Sequence, residues 1–321
     1  MKKQIKIIFG GSLLALWGMP LFITAGEKCP EVCPDGSRPY FCVCAGEETT
    51  RSKPVVREVP TAPPPQPLPK QERPSSPPPD TKPFAAPPQA KSGNGWRDPV
   101  TGMEFVWIAG GQFEMGCGPW TSKCDEDESP VHPVKLSDFW LGKYEVTQEQ
   151  WQKVMGSNPS AHTDCPTCPV EQVSWEDAQN FIEKLNSQAK VRFRLPTEAE
   201  WEYACRSGGQ EERYSGGHAP KGLGWTKTNS QEQSHPVGQK SANGLGLFDM
   251  TGNVWEWVED WYAPFSPVAQ TNPLIAKGES DRVSRGGSWY STEADSRCGT
   301  RNAGSTTFSD PDHGFRLTRE P

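Results

Sequence analysis

Several features are scarce in this 321-residue chain, and each scarcity removes a class of protein. Beyond residue 25 there is no long apolar run, and the mean hydropathy of −0.71 excludes a polytopic membrane protein. Positive charge is not in surplus. The 33 Lys and Arg face 40 Asp and Glu for a net charge of −7, which argues against bulk electrostatic binding of nucleic acid. No segment repeats at the period of a solenoid or propeller. No Asn-x-Ser/Thr acceptor for an N-glycan is present, since Asn158 is followed by Pro159.

What is present is unevenly placed. Of the 33 prolines, 18 lie in the first 94 residues, whereas 12 of the 13 tryptophans lie after residue 94. This predicts an extended front and one aromatic-rich globular domain over residues 95–321, long enough to bury roughly 70–75% of its unfolded surface. Lys2 and Lys3 precede an apolar run from Ile7 to Trp17, and small residues end at Ala25. Residues 1–25 therefore read as a secretory signal peptide, and the chain as exported, periplasmic or secreted. Membrane attachment is expected only if that segment stays uncleaved.

Residues 26–48 form a small Cys-rich segment with Cys29, Cys33, Cys42 and Cys44. Two local disulfides suit an exported chain better than a zinc site, and their connectivity stays open. Residues 49–94 are a proline-rich linker with 14 prolines between Pro54 and Pro88. Such a composition stays extended and acts as a semi-rigid spacer.

In the globular part, Glu104–Ile108 and Phe113–Met115 flank Gly110-Gly111 and read as a hairpin, with a further strand pair between Lys135 and Val146. Three capping boxes, Thr147-x-x-Gln150, Ser174-x-x-Asp177 and Thr197-x-x-Glu200, announce three short helices. After residue 210 there are only glycine-rich loops, the Trp-rich stretch Val254–Trp261, and strand candidates at Arg282–Ser284 and Phe315–Thr318. Few helices, short strands and long loops predict an irregular α+β fold.

Several segments together resemble the formylglycine-generating enzyme family, the sulfatase-modifying factors. In order they are Gly102-Met103-Glu104-Phe105-Val106, Tyr144-Glu145-Val146-Thr147, Val173-Ser174-Trp175, Arg194-Leu195-Pro196-Thr197-Glu198-Ala199-Glu200-Trp201-Glu202, Asp249-Met250-Thr251-Gly252-Asn253-Val254-Trp255-Glu256-Trp257, Arg285-Gly286-Gly287-Ser288-Trp289 and Gly314-Phe315-Arg316. The resemblance implies a loop-rich variant of the C-type lectin-like fold. It also implies where oxidase chemistry would sit: family oxidases hold copper with two cysteines shortly after the Gly-Gly-Ser motif. Here those positions are Ser291 and Ser296, and a protonated hydroxyl is a poor Cu(I) ligand. Copper is therefore not expected.

The resemblance further implies a Cys205–Cys298 bridge, and a structural calcium loop in which Asp249 and Glu256 offer carboxylates while Gly252 and Val254 offer carbonyls. Trp255, Ser288 and Asp312 match positions near the family's substrate groove, although Asp312-His313 stands where the family often has Asn-Leu. His313 itself reads as a surface or loop residue. The acidic run Asp125–Glu128 reads as a solvated loop clamped by Cys117 and Cys124. Cys165-x-x-Cys168 has redox spacing, but Pro169 follows it and no strand-to-helix context precedes it, so it reads as a small structural disulfide.

Two functions are then expected in order. The first is a calcium-stabilised domain that binds an extracytoplasmic protein, peptide or glycan. The alternative is a formylglycine-generating oxidase, or a divergent metal-dependent oxidase, acting on a protein cysteine. The alternative requires two or three His, Cys or carboxylate ligands to converge near Ser288 and Trp255.

Overall fold

The computed structural model describes residues 95–320 apart from Ser122; the expected signal peptide, Cys-rich segment and linker lie outside the described residues. In chain order the strands are β1 (Gly95–Arg97), β2 (Glu104–Ile108), β3 (Gln112–Met115), β4 (His132–Lys135), β5 (Phe139–Gly142), β6 (Phe193–Arg194) and β7 (Trp255–Trp261). They continue with β8 (Gln270–Thr271), β9 (Asp281–Arg285), β10 (Arg301–Ser305), β11 (His313–Gly314) and β12 (Thr318–Arg319). The helices are α1 (Gln148–Met155), α2 (Trp175–Asn186) and α3 (Glu198–Cys205). This is the α+β, loop-rich architecture that the element pattern predicts. None of the described helices is long and apolar enough to cross a membrane.

All three helices begin at the expected capping boxes. Thr147, Ser174 and Thr197 each accept a bond from the amide three residues on, and the Gln150, Asp177 and Glu200 side chains accept one from the cap amide. Helix α1 stops where Gly156 adopts φ 88°, a left-handed conformation that glycine takes without a Cβ penalty. Ala178, Phe181, Ile182 and Leu185 recur at helical spacing and give α2 one buried face. Phe181 stacks on Trp151 of α1 at 5.2 Å, and both rings meet Phe315 edge-on.

Three sheets frame these helices, in strand orders β1-β2-β5-β12-β6, β10-β9-β7-β11 and β3-β4-β8. The expected hairpin across Gly110-Gly111 does not form. Instead β2 pairs with β5 and β3 pairs with β4, so residues 104–115 run on in one direction against 132–142 and bend from one sheet into another. Gly110 sits in that bend, where a Cβ would lie 2.3 Å from the Leu136 carbonyl, so the glycine serves close approach and not a tight turn. The expected strand pair after Lys135 is likewise one strand, β5, pairing outward. Phe315–Thr318, expected as a strand, mostly links β11 to β12. Phe315, Arg316 and Leu317 are all fully buried there, and the Phe315 and Leu317 carbonyls accept bonds from Val146 and Gly142.

One apolar core lies around α3 with β3, β4 and β9, and a second lies between the five-stranded sheet, α1 and α2. Of the described tryptophans, Trp151, Trp201, Trp255 and Trp257 are buried and the rest are half-buried. Three disulfides fasten the described domain: Cys117–Cys124, Cys165–Cys168 and Cys205–Cys298. The last ties the end of α3 to the segment before β10, with both cysteines fully buried.

Candidate functional site

Residues 249–256 form a buried turn that feeds β7. Asp249 and Asn253 take positive φ (59° and 65°), as does Gly252 (78°), where a Cβ would fall 2.0 Å from the Trp225 carbonyl. Asp249 Oδ2 accepts the Gly238 amide at 2.6 Å, whereas its Oδ1 is buried without a partner. Glu256 accepts from Arg316 at 2.6 and 2.7 Å and from the Trp201 indole at 2.8 Å.

A third carboxylate, Glu145, joins them from the segment before α1; it takes the Asn253 side-chain amide at 2.6 Å and the Val254 backbone amide at 3.2 Å. Burial lifts Asp249 to about 6. Burial also lifts Glu145 well above the usual carboxylate range, helped by the charges of Asp249 and Glu256. Three buried carboxyls thus surround the Arg316 guanidinium, with Lys240 acting on Asp249 from further off. The orphaned Asp249 oxygen beside two further carboxyls suits a divalent, oxygen-seeking cation. Asp249, with the Gly252 and Val254 carbonyls, would hold calcium there, and Glu256 would use the lone pair left over from its three bonds.

Glu145 was not among the expected residues. It is 108 residues from Asn253 in the chain, and no local pattern in Tyr-Glu-Val-Thr marks it as facing that loop.

The 249–256 turn is bonded to the second expected element. Gly252 donates to the Gly286 carbonyl at 2.8 Å, and Trp289 donates to the Asn253 carbonyl at 2.7 Å. Gly286 and Gly287 both have positive φ, and a Cβ on Gly287 would strike Ser296 Oγ at 2.3 Å. This tight turn presents Ser288. Its hydroxyl donates to Asp312 Oδ2 at 2.7 Å, and the Ser291 hydroxyl lies 3.0 Å from Ser288 Oγ, placed to donate to it. Ser296 is fully buried, and its hydroxyl is spent on the Thr292 carbonyl at 3.0 Å.

Strand β11 pairs in parallel with β7, setting His313 beside Trp255, while the Trp255 amide donates to the Asp312 carbonyl. The expected Trp255, Ser288 and Asp312 are therefore brought together. His313 is not a surface residue: it is 4% exposed. Its Nδ1 pairs with Asp312 Oδ1 at 2.7 Å, so Nε2 faces Asn302 and Ser284 as an acceptor. Burial alone would raise Asp312, but the His313 and Ser288 bonds hold it below its ordinary value, ionised. Around this polar centre lie the half-buried Trp289 and the exposed Tyr290 and Phe308, with Phe308 edge-on to His313 at 5.1 Å.

The acidic run is also different from a solvated loop. Glu128 is fully buried and paired twice with Arg297, at 2.6 and 2.7 Å. It lies with Cys117 and Cys124 in the one group of three His, Cys or carboxylate ligand atoms within 4.8 Å among the described residues. Both cysteines are bridged to each other and Glu128 is neutralised, so the group is structural. No group of three such ligand atoms lies near Ser288 and Trp255 among the described residues, but a pair does: Asp312 bonds Ser288, and His313 bonds Asp312 beside Trp255.

An α+β scaffold with three short capped helices, long glycine-rich turns and an aromatic-rimmed polar face describes a class of domain used with many inserts. Residues 92–321 match the sulfatase-modifying factor enzyme 1-like domain, FGE-sulfatase, and the chain belongs to that family. It is 31% identical to the chaperone protein LppX of Paenibacillus barcinonensis, over 67% of this chain and 89% of that one. It is 35% identical to the formylglycine-generating enzyme of Mus musculus, over 69% and 76% of the two chains. The serine/threonine-protein kinase Pkn1 of Chlamydia trachomatis is 30% identical over 68% of this chain, which spans only 38% of the kinase. Among solved structures, Treponema denticola variable protein 1 superposes with a TM-score of 0.63 at 30% identity, covering 71% of this chain and 99% of that one.

Proposed function

We propose that this family member is an exported, calcium-stabilised binding domain that carries out no copper-dependent oxidation, and that its ligand is a protein, peptide or glycan held at the Ser288–Asp312 face. One observation carries the reading. The two positions where family oxidases place copper cysteines hold Ser291 and Ser296, and both hydroxyls are already engaged. Ser291 extends a chain of hydroxyls to the ionised Asp312, which is an arrangement for accepting and donating hydrogen bonds and not for a soft metal. The aromatic rim of Trp289, Tyr290 and Phe308 adds apolar contact area around that polar centre, on loops carried by a rigid scaffold.

Three disulfides within the described domain suit the oxidising compartment that the N-terminal segment implies. Relatives bearing names as different as a chaperone and a formylglycine-generating enzyme are compatible with a scaffold whose activity is set by the face and not by the fold. A Cu(I) competition titration against a chromophoric chelator tests the reading. The expected outcome is that the domain withdraws no copper; uptake of one equivalent would overturn it.

A further inference from the structure

We propose that the Cys165–Cys168 disulfide is an exchange-active redox centre that accepts the electrons of a dithiol on a client protein. The way the four-residue loop is held carries this. Each of its backbone carbonyls is bonded to an amide: Cys168 N donates to Cys165 O at 3.0 Å, Glu149 N to Pro166 O at 2.9 Å, Val237 N to Thr167 O at 3.0 Å, and Gln148 N to Cys168 O at 3.0 Å. None of these bonds runs through sulfur, so the loop keeps its shape whether the sulfurs are joined or reduced. A stabilising role is also weak on length alone. This bridge spans three residues and removes little chain entropy, whereas Cys205–Cys298 spans 93.

Helix α1 begins beside the loop. The Gln148 and Glu149 amides that grip the loop are the first of helix α1, and Thr147, its cap, bridges to Pro169. The helix that is missing beside the motif in sequence is thus supplied by the fold from upstream. Its first amides are spent on the loop carbonyls, so the helix acts on the sulfurs through its dipole alone, and the nearby acids Glu149 and Asp164 are exposed and screened. The two sulfurs are not equivalent. Cys165 is half-buried and open to attack, whereas Cys168 is 3% exposed. The Ser234 carbonyl lies 3.9 Å from Cys168 Sγ and would accept a hydrogen bond from its thiol after reduction. His162, three residues before Cys165, meets Trp289 edge-on at 6.2 Å, which sets the loop beside the aromatic face.

In the first step a client thiolate attacks Cys165 Sγ, the Cys165–Cys168 bond breaks, and Cys168 leaves as a thiolate that takes a proton. In the second, another client thiolate attacks the client sulfur of the mixed disulfide and releases Cys165. Two client thiols become one disulfide while Cys165–Cys168 gains two electrons, and a small-molecule disulfide such as oxidised glutathione returns it to the starting state.

The test incubates the native full chain with an excess of a reduced peptide bearing two cysteines, followed by timed alkylation and residue-level mass spectrometry. Cys165–Cys168 is expected to open at least about tenfold faster than Cys117–Cys124, and Cys168→Ser to accumulate a peptide adduct at Cys165. The Cys117–Cys124 pair is the proper control because Cys124 is itself exposed. Equal or faster opening of that pair, or a Cys165–Cys168 bond that stays closed, overturns the proposal. The rate comparison in the unmodified chain decides the matter even if the Ser variant does not fold. It also reads sulfur chemistry directly, so failure of ligand binding at Ser288 would leave it informative.

Discussion

On the proposed calcium reading, adding EDTA at pH 8 should destabilise this domain, and Asp249 sets the scale of the effect. Without a cation, burial lifts that carboxyl from 3.8 to about 6. Keeping it ionised above that range costs the metal-free fold about 3 kcal/mol. Asp249 is 2% exposed, so solvent screening reduces this little. Glu145, raised in the same direction by burial and by its acidic neighbours, adds to the cost. For a domain of this size that corresponds to a fall in Tm of roughly 6–12 °C on adding EDTA.

The pH dependence has a definite sign. A carboxyl whose folded pKa is raised contributes its full stability below the unfolded value and loses it as pH rises through the folded one. The metal-free domain should therefore recover stability as pH drops from about 7 towards 4, and the EDTA effect should shrink with it. Asp260, pushed to about 7 by burial and by the charge of Glu198, tilts the metal-bound and metal-free forms alike and cancels in their difference. Differential scanning calorimetry with and without EDTA across this range is the assay. An unchanged Tm at pH 8, with no calcium uptake by titration calorimetry, would refute the cation site and leave residues 249–256 as a simple turn.

Other outcomes follow from the same contacts. Arg285→Leu removes one of the two buried guanidiniums on Glu202, leaving Arg206, and frees the Cys298, Gly299 and Thr300 carbonyls; a loss of about 3 kcal/mol in urea unfolding is expected. Replacing Cys205 and Cys298 together with alanine should cost on the order of 4–5 kcal/mol in the chain-entropy account, seen as a lower denaturant midpoint. Tyr290 is 58% exposed, so Tyr290→Ala should change stability by less than about 0.5 kcal/mol while weakening capture of the ligand in a pull-down or titration.

Local signals in the sequence carried the local structure. Each capping box is written within four residues, so all three helix starts were legible at Thr147, Ser174 and Thr197. The Asp249–Glu256 and Gly286–Ser288 turns were found through the family resemblance, and the structure shows why their glycines matter: Gly252, Gly286 and Gly287 sit at positive φ and in close contact. Long-range pairing was not legible. The two strands around Gly110-Gly111 look like a hairpin because their residues alternate correctly, but β5 and β4, more than twenty residues on, take both partners. Glu145 and Glu128 read as ordinary acids because their partners, Asn253 and Arg297, are over a hundred residues away. His313 looked like a loop residue because a two-residue strand gives no periodicity, and only the β7 pairing buries it. The Cys165–Cys168 disulfide forms as its spacing suggested, although helix α1, which holds its loop, comes from earlier in the sequence.

The most direct test of the central claim is turnover. The purified domain, supplied with copper, dioxygen and a sulfatase-type cysteine peptide, is followed by mass spectrometry for conversion of the cysteine to formylglycine. With serine at 291 and 296, no product above the copper-only background is expected. Multiple turnovers by the unmodified domain would contradict a binding role and return the chain to the family's oxidases.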